Sequence, residues 1–302
     1  MRILFATDGS PGAGHAAELL AGIGPLDGAS LEVLHVVEAE PPFWDASDVD
    51  PGEEDALRGI RAELEAEGAR CLADARRRLE AAGWNVCETT RSGAPAAQIL
   101  AHAAESGATL VVLGATGMHE GSDALLGRTA RRVLKNAEGA VLVARSRAER
   151  EGKLRVLFPF DGSPASAEAE GAVRALAPAC DRLTLLSVLT VATTLYRYDL
   201  VERMSTTWRT HRARVERELQ AIADRVRTDD LEVEVRLLDG GTDAADEILE
   251  ATRLLQPDIT VVGHSGKGGL RKLVLGSVSA ALAERASCSV WIAAAPAGDD
   301  AD

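Results

Sequence analysis

Residues 263–279 read Gly263-His-Ser-Gly266-Lys-Gly-Gly-Leu-Arg-Lys-Leu-Val-Leu-Gly276-Ser277-Val278-Ser279. Glycines let a backbone turn tightly and bring its N–H groups against an anion. Ser277 and Ser279 add hydroxyl donors where the pattern predicts the start of a helix, and a helix N-terminus carries positive potential. Lys267, Arg271 and Lys272 make this the most basic stretch of an acidic segment. Together these features are phosphate-binding chemistry. A tight strand-to-helix connection also uses glycines, so the loop alone leaves both readings open. A similar loop begins at Gly114-Ala-Thr-Gly117 and, after nine residues, reaches Gly127. There Arg128 stands in place of Ser277 and Ala130 in place of Ser279, which leaves Thr129 as the hydroxyl. Glu120 and Asp123 lie between the glycines with no Lys or Arg beside them. Two carboxylates oppose a polyphosphate, and Arg128 as a donor offsets part of that.

The two loops belong to two copies of one unit. MRILFATDGS at 1–10 matches LRVLFPFDGSP at 154–164, and TLVVLGATG at 109–117 matches DITVVGHSG at 258–266. Ile99 and Ile248 precede the loops at equal spacing, and GRTARRVLKNAEGAVLVAR at 127–145 answers GSVSAALAERASCSVWIAA at 276–294. Anchors in the same order at nearly constant spacing are a duplication.

Apolar, β-branched runs predict strands at 2–7, 31–37, 84–90, 109–114 and 140–144, and again at 154–160, 182–189, 231–238, 258–263 and 288–294. Apolar residues at three-to-four spacing predict long helices at 53–82 and 199–228. Alternating strands and helices demand right-handed crossovers and an open parallel sheet with helices on both faces. Ligands bind such sheets beyond the carboxyl ends of the strands, where the strand order switches. Asp8, Asp161 and both glycine loops fall at those ends. The expected domains are 1–146 and 153–296, joined by a charged linker at 145–153. Residues 38–55, with three prolines and the Phe43–Trp44 pair, read as a solvated loop pinned by its aromatics.

Composition narrows the function. Of 302 residues 46% are hydrophobic and 26% charged, as in an ordinary globular protein, and 3% are aromatic, so Ala, Leu, Val and Ile must build the core. A net charge of −14 argues against nucleic acid or an anionic membrane as partner. No apolar run is long enough to span a bilayer, and the start of the chain lacks a signal-peptide pattern, so the expected location is the cytoplasm. Cys71, Cys87, Cys180 and Cys288 are scattered without metal-ligand spacing, so no metal site and no disulfide framework is expected. The P-loop pattern is absent, and neither loop has an obvious base or metal-binding acid for a γ-phosphate. Asp161 could bind a metal, but its place after the first strand favours a ribose or backbone hydrogen bond. His264 lies inside a loop whose backbone would do the binding. The expectation is therefore a binding protein with no catalytic residues.

Gly263-x-x-Gly266, nine residues, then Gly276-Ser277 resembles the ATP-binding motif of the universal stress protein family. The resemblance covers nearly the whole chain through Asp-Gly-Ser after each first strand, Leu34-His35-Val36-Val37 ending the second, and the glycine loops. It implies a tandem member: two open parallel five-stranded sheets with helices on both faces, of the Rossmann-like, adenine nucleotide alpha hydrolase-like type. The resemblance further implies an adenine nucleotide site for ATP, with or without Mg2+. In the second copy that site would comprise Pro159, Phe160, Asp161, Val188 and Val262 around the nucleoside. Gly263, Gly266, Gly276, Ser277, Val278 and Ser279 would hold the phosphates. The weaker match in the first copy implies Ala6, Thr7, Asp8, Val36, Leu113, Gly114, Gly117, Gly127, Arg128 and Thr129. The function implied is ATP-biased regulation in a stress response. A slow ATPase and a scaffold with empty sites are the alternatives. The resemblance also implies pairing of the apolar last strands, 140–144 and 289–293, within one chain, and a homodimer. The acidic tail AGDDAD is expected to be disordered.

Overall fold

Each copy begins with a buried apolar strand that runs into Asp-Gly-Ser-Pro, and this tetrad sets the first helix locally. In the computed structural model, which describes residues 1–38, 51–118, 126–146, 152–190, 201–240, 243–264 and 275–293, strand β1 is Arg2–Thr7 and helix α1 is Pro11–Ile23. The counterparts are β6, Leu154–Pro159, and α5, Pro164–Leu176. Asp8 Oδ1 accepts the Ser10 N–H at 3.0 Å, and Asp161 Oδ1 accepts that of Ser163 at 2.9 Å. Gly9 and Gly162 take φ of 74° and 72°, a left-handed conformation that suits glycine. Ser10 and Ser163 then cap the helices by accepting N–H of Ala13 and Ser166, both at 3.2 Å, with proline in the first turn. The 38–55 loop with Phe43–Trp44 falls mostly outside the described residues, as do Glu120, Asp123, Gly266, Lys267, Arg271, Lys272, part of the linker and the acidic tail.

The remaining elements of the first copy are β2 (Ser30–Val37), α2 (Pro51–Ala81), β3 (Val86–Ser92), α3 (Pro95–Ser106), β4 (Leu110–Gly114), α4 (Arg128–Asn136) and β5 (Ala140–Ala144). In the second copy they are β7 (Cys180–Thr190), α6 (Val201–Val226), β8 (Glu232–Gly240), α7 (Ala244–Leu255), β9 (Ile259–Gly263), α8 (Ser277–Arg285) and β10 (Ser289–Ala293). The third strand starts two residues later than its apolar pattern predicts. Trp84 is withheld from it because its indole N–H donates to the Leu20 carbonyl at 3.0 Å, filling the gap below α1.

The chain divides into two units, Met1–Glu138 and Gly139–Asp302. The first carries a parallel sheet in the order β3-β2-β1-β4. In the second, β8-β7-β6-β9-β10 are parallel, and β5 adds to β10 antiparallel with Leu142 opposite Trp291. Helices α1 and α2 pack on one face of the first sheet and α3 and α4 on the other; α5 and α6, and α7 and α8, repeat this arrangement. The core is aliphatic, with Leu4, Phe5, Leu34, Val112, Leu157, Phe158, Leu185 and Ile259 fully buried. Strand β3 forms the outer edge of the first sheet and is polar along its exposed face, which discourages pairing by another strand.

One ion pair in the second unit gives a pH prediction. Glu170 of α5 accepts two hydrogen bonds from Arg225 of α6, at 2.8 and 2.7 Å. The Arg225 guanidinium, with help from Arg174, holds the Glu170 carboxyl below its ordinary 4.5. A depressed carboxyl stabilises the fold above the unfolded value, and the gain is lost as pH falls through the folded one. Glu170→Gln should therefore lower the unfolding midpoint at pH 7, with the deficit closing in acid below about 4.5, as thermal melts across that range would read.

Candidate functional site

In the second unit β6 and β9 are neighbouring parallel strands, yet α5 leaves β6 toward one face and α8 follows β9 on the other. The crevice between them is the switch point of the sheet. It contains a cavity of about 150 Å3. Of the residues expected at the second site, the structure brings Pro159, Phe160, Asp161, Val188, Val262, Gly263, Gly276, Ser277, Val278 and Ser279 to its wall. Gly266 lies outside the described residues. Ser163, Ser166, Leu186, Ala244 and Ile248 also line it, and sequence reasoning missed them. Leu186 was within reach, since it stands two residues before Val188 and so shares its face of β7. Ala244 and Ile248 carried no signal, because only tertiary packing brings the first turn of α7 to this cavity.

The wall has two characters. Phe160, Leu186, Val188, Ile248 and Val262 make an apolar slot, while Asp161, four serines and the N-termini of α5 and α8 make a polar end. An apolar slot beside helix N-termini suits a flat ring carrying an anionic group. The loop is closed at its neck by Gly276 N–H donating to the His264 carbonyl at 2.9 Å, and in the first copy Gly127 N–H donates to the Ala115 carbonyl at 2.7 Å. Ser279 is buried and donates its hydroxyl proton to the Gly263 carbonyl at 2.6 Å, so its donor is spent on holding α8 to β9. Ser277, at the first position of α8, is exposed. Burial pushes the His264 imidazole down from 6.5, so at pH 7 it is neutral and adds no positive charge. Among the described residues no group of three His, Cys, Asp or Glu could hold a metal ion.

The first copy assembles the same frame but ties it shut. Asp8 Oδ2 accepts the Met118 N–H at 3.1 Å, so with Ser10 on Oδ1 both carboxylate oxygens are engaged by backbone. Ser10 donates its hydroxyl to the Thr116 carbonyl at 3.4 Å, and a Cβ on Gly12 would stand 2.1 Å from that oxygen. The glycine loop is thus pressed against the β1–α1 turn. Thr7 Oγ1 accepts Gly9 N–H at 3.3 Å, and the Cys71 thiol of α2 packs over Gly9. Burial, together with Glu67 and Asp8, pushes that thiol up, so it is protonated at pH 7. Ala6, Leu113 and Gly127 are buried; Gly114, Gly117, Val36 and Thr129 are half-buried, and Arg128 is exposed.

The sequence model of the universal stress protein family matches residues 1–145 and again 154–294. The chain belongs to the universal stress protein family. A universal stress protein of Mycolicibacterium smegmatis is 28% identical over 303 residues, covering 96% of both chains. Universal stress protein YxiE of Bacillus subtilis is 28% identical over 145 residues, 48% of this chain and 98% of its own. Among solved structures, a universal stress protein from Archaeoglobus fulgidus superposes with a TM-score of 0.63 at 18% identity, covering 97% of this chain and 98% of its own. The tandem arrangement and mostly parallel α/β fold are therefore those of this family. Among the described residues no helix is long and apolar enough to cross a membrane.

Proposed function

We propose that the second universal stress protein domain binds ATP at the β6–β9 crevice and that its occupancy biases the conformation or partner choice of the protein. The observation that carries this reading is a cavity into which an apolar slot and the starts of α5 and α8 both open. The slot accepts adenine, Asp161 lies within reach of the ribose, and the N-terminus of α8 with Ser277 faces the phosphates. The first domain binds weakly or not at all, because Asp8 must first release Met118. On this reading the domains span 1–146 and 153–296, and the protein works in the cytoplasm as a single chain or a homodimer.

Titration calorimetry with ATP and Mg2+ tests the site. Wild type should take up one nucleotide, and Ser277→Arg, which installs the residue of the first copy, should weaken binding about ten-fold or more. Gly276→Val should do the same. Unchanged affinity in both variants sinks the assignment, and phosphate release at enzymatic rates would replace the regulatory reading with a hydrolytic one.

A further inference from the structure

The residue after β5 reaches the helix that ends in the candidate site. Arg145 N–H donates to Ser289 Oγ at 3.0 Å, and Ser289 Oγ donates back to the Arg145 carbonyl at 3.4 Å. These bonds extend the β5–β10 pairing by one residue. The guanidinium then turns inward, donating through Nη1 to the Cys288 carbonyl at 3.4 Å and through Nη2 to the Ala283 carbonyl. Ala283 lies in the last turn of α8, where carbonyls lack partners within the helix and a cation is favoured. The side chain is half-buried, and burial pulls its basicity down, but a guanidinium so far above neutrality stays charged. The aligned position in the second copy is Ala294, so the sequence provides this arginine once.

The opposite end of α8 holds Gly276, Ser277, Val278 and Ser279 against the cavity. The helix has nine residues and spans about 13 Å, short enough to move as one body. Its N-terminal end is fixed by Ser279 on the Gly263 carbonyl and by Gly276 on the His264 carbonyl. Its C-terminal end is fixed by Arg145 and by Arg285 paired with Asp246 at 3.1 Å.

We infer that Arg145 is a positioning residue that couples docking of β5 on β10 to the placement of the α8 N-terminus at the candidate site. Seating of β5 sets the axial position of α8. By linkage, a ligand that requires that position holds β5 down in return. The ligand half of this statement rests on the ATP reading above, and the mechanical half does not.

Hydrogen exchange on the full chain separates the two. Without nucleotide, Arg145→Ala should speed exchange of the Gly276 and Ala280 amides, which are bonded to the His264 and Gly276 carbonyls, by about five-fold or more. The same variant should speed exchange along β5. Arg145→Lys, which keeps the charge but can serve fewer carbonyls, should restore part of the protection, and it stands in if the alanine variant does not fold. Exchange at Gly276 and Ala280 equal to wild type in Arg145→Ala, or in Arg145→Lys where the alanine variant does not fold, overturns the coupling, whatever ATP does. If wild type binds ATP, affinity in Arg145→Ala should fall about five-fold, and ATP should slow β5 exchange in wild type only. Equal affinity with β5 exchange insensitive to ATP also overturns it. If wild type binds no ATP, the proposed function fails and the coupling is decided by the nucleotide-free exchange alone.

Discussion

Truncating Phe158 to alanine should lower the stability of the second unit by about 4 kcal/mol, the largest effect expected of a single substitution here. Phe158 is fully buried in β6, at the centre of a core with few aromatic rings. Removing it takes away the transfer gain of a whole ring and leaves a void that neighbouring strands cannot close, since they are held in register on both sides. The loss should also reach the candidate site. Phe158 supports Phe160 edge-on, with ring centroids 6.0 Å apart and planes at 62°, and Phe160 is a wall of the cavity. Urea unfolding should show an earlier midpoint with little change in slope. A shift worth under about 1 kcal/mol would mean that the core around β6 repacks freely, against the close packing described.

Gly263→Ala should cost about 3 kcal/mol through a different cause. Gly263 ends β9 where α5 crosses closest. A Cβ there would lie 2.5 Å from the carbonyl carbon and oxygen of Ala165 and 2.8 Å from its Cβ. Backbone cannot rotate away as a side chain would, so strand and helix must separate, and the cavity between them must change shape. The first copy has the same constraint at Gly114, whose Cβ would meet the Gly12 carbonyl carbon at 2.4 Å, and Gly114→Ala should destabilise the first unit comparably. Gly171 gives the control. It sits inside α5 with nothing within 4 Å of an added Cβ, so Gly171→Ala should stabilise by about 0.5–1 kcal/mol through helix propensity alone. Denaturant midpoints of the three variants test the contrast, and a Gly263→Ala midpoint at or above wild type would count against the steric account.

These two substitutions mark the division between what was legible in the sequence and what was not. The duplication, all ten strand positions to within two residues and the start of each first helix follow from local chemistry. A continuous apolar run must be buried, and Asp-Gly-Ser makes its bonds two and three residues away. Strand β7, Cys180–Thr190, begins two residues before and ends one residue after its apolar pattern, extending along β8. The expected residues of the second site came from the family resemblance, and those described line one cavity because the strand ends of a parallel sheet share one edge.

Tertiary structure decided which groups are already engaged there. Asp8 looks in sequence like a group open to a ligand, and its second oxygen accepts the N–H of Met118, 110 residues away. Ser279 looks like a phosphate donor, and its proton goes to Gly263. Arg145 looks like the first residue of a charged linker, and it caps α8. In each case the chemistry of the side chain was plain from its type. What the sequence does not encode locally is which distant carbonyl or N–H the packed strands and helices bring within 3 Å of it, and a hydrogen-bonding group takes the partner that burial offers.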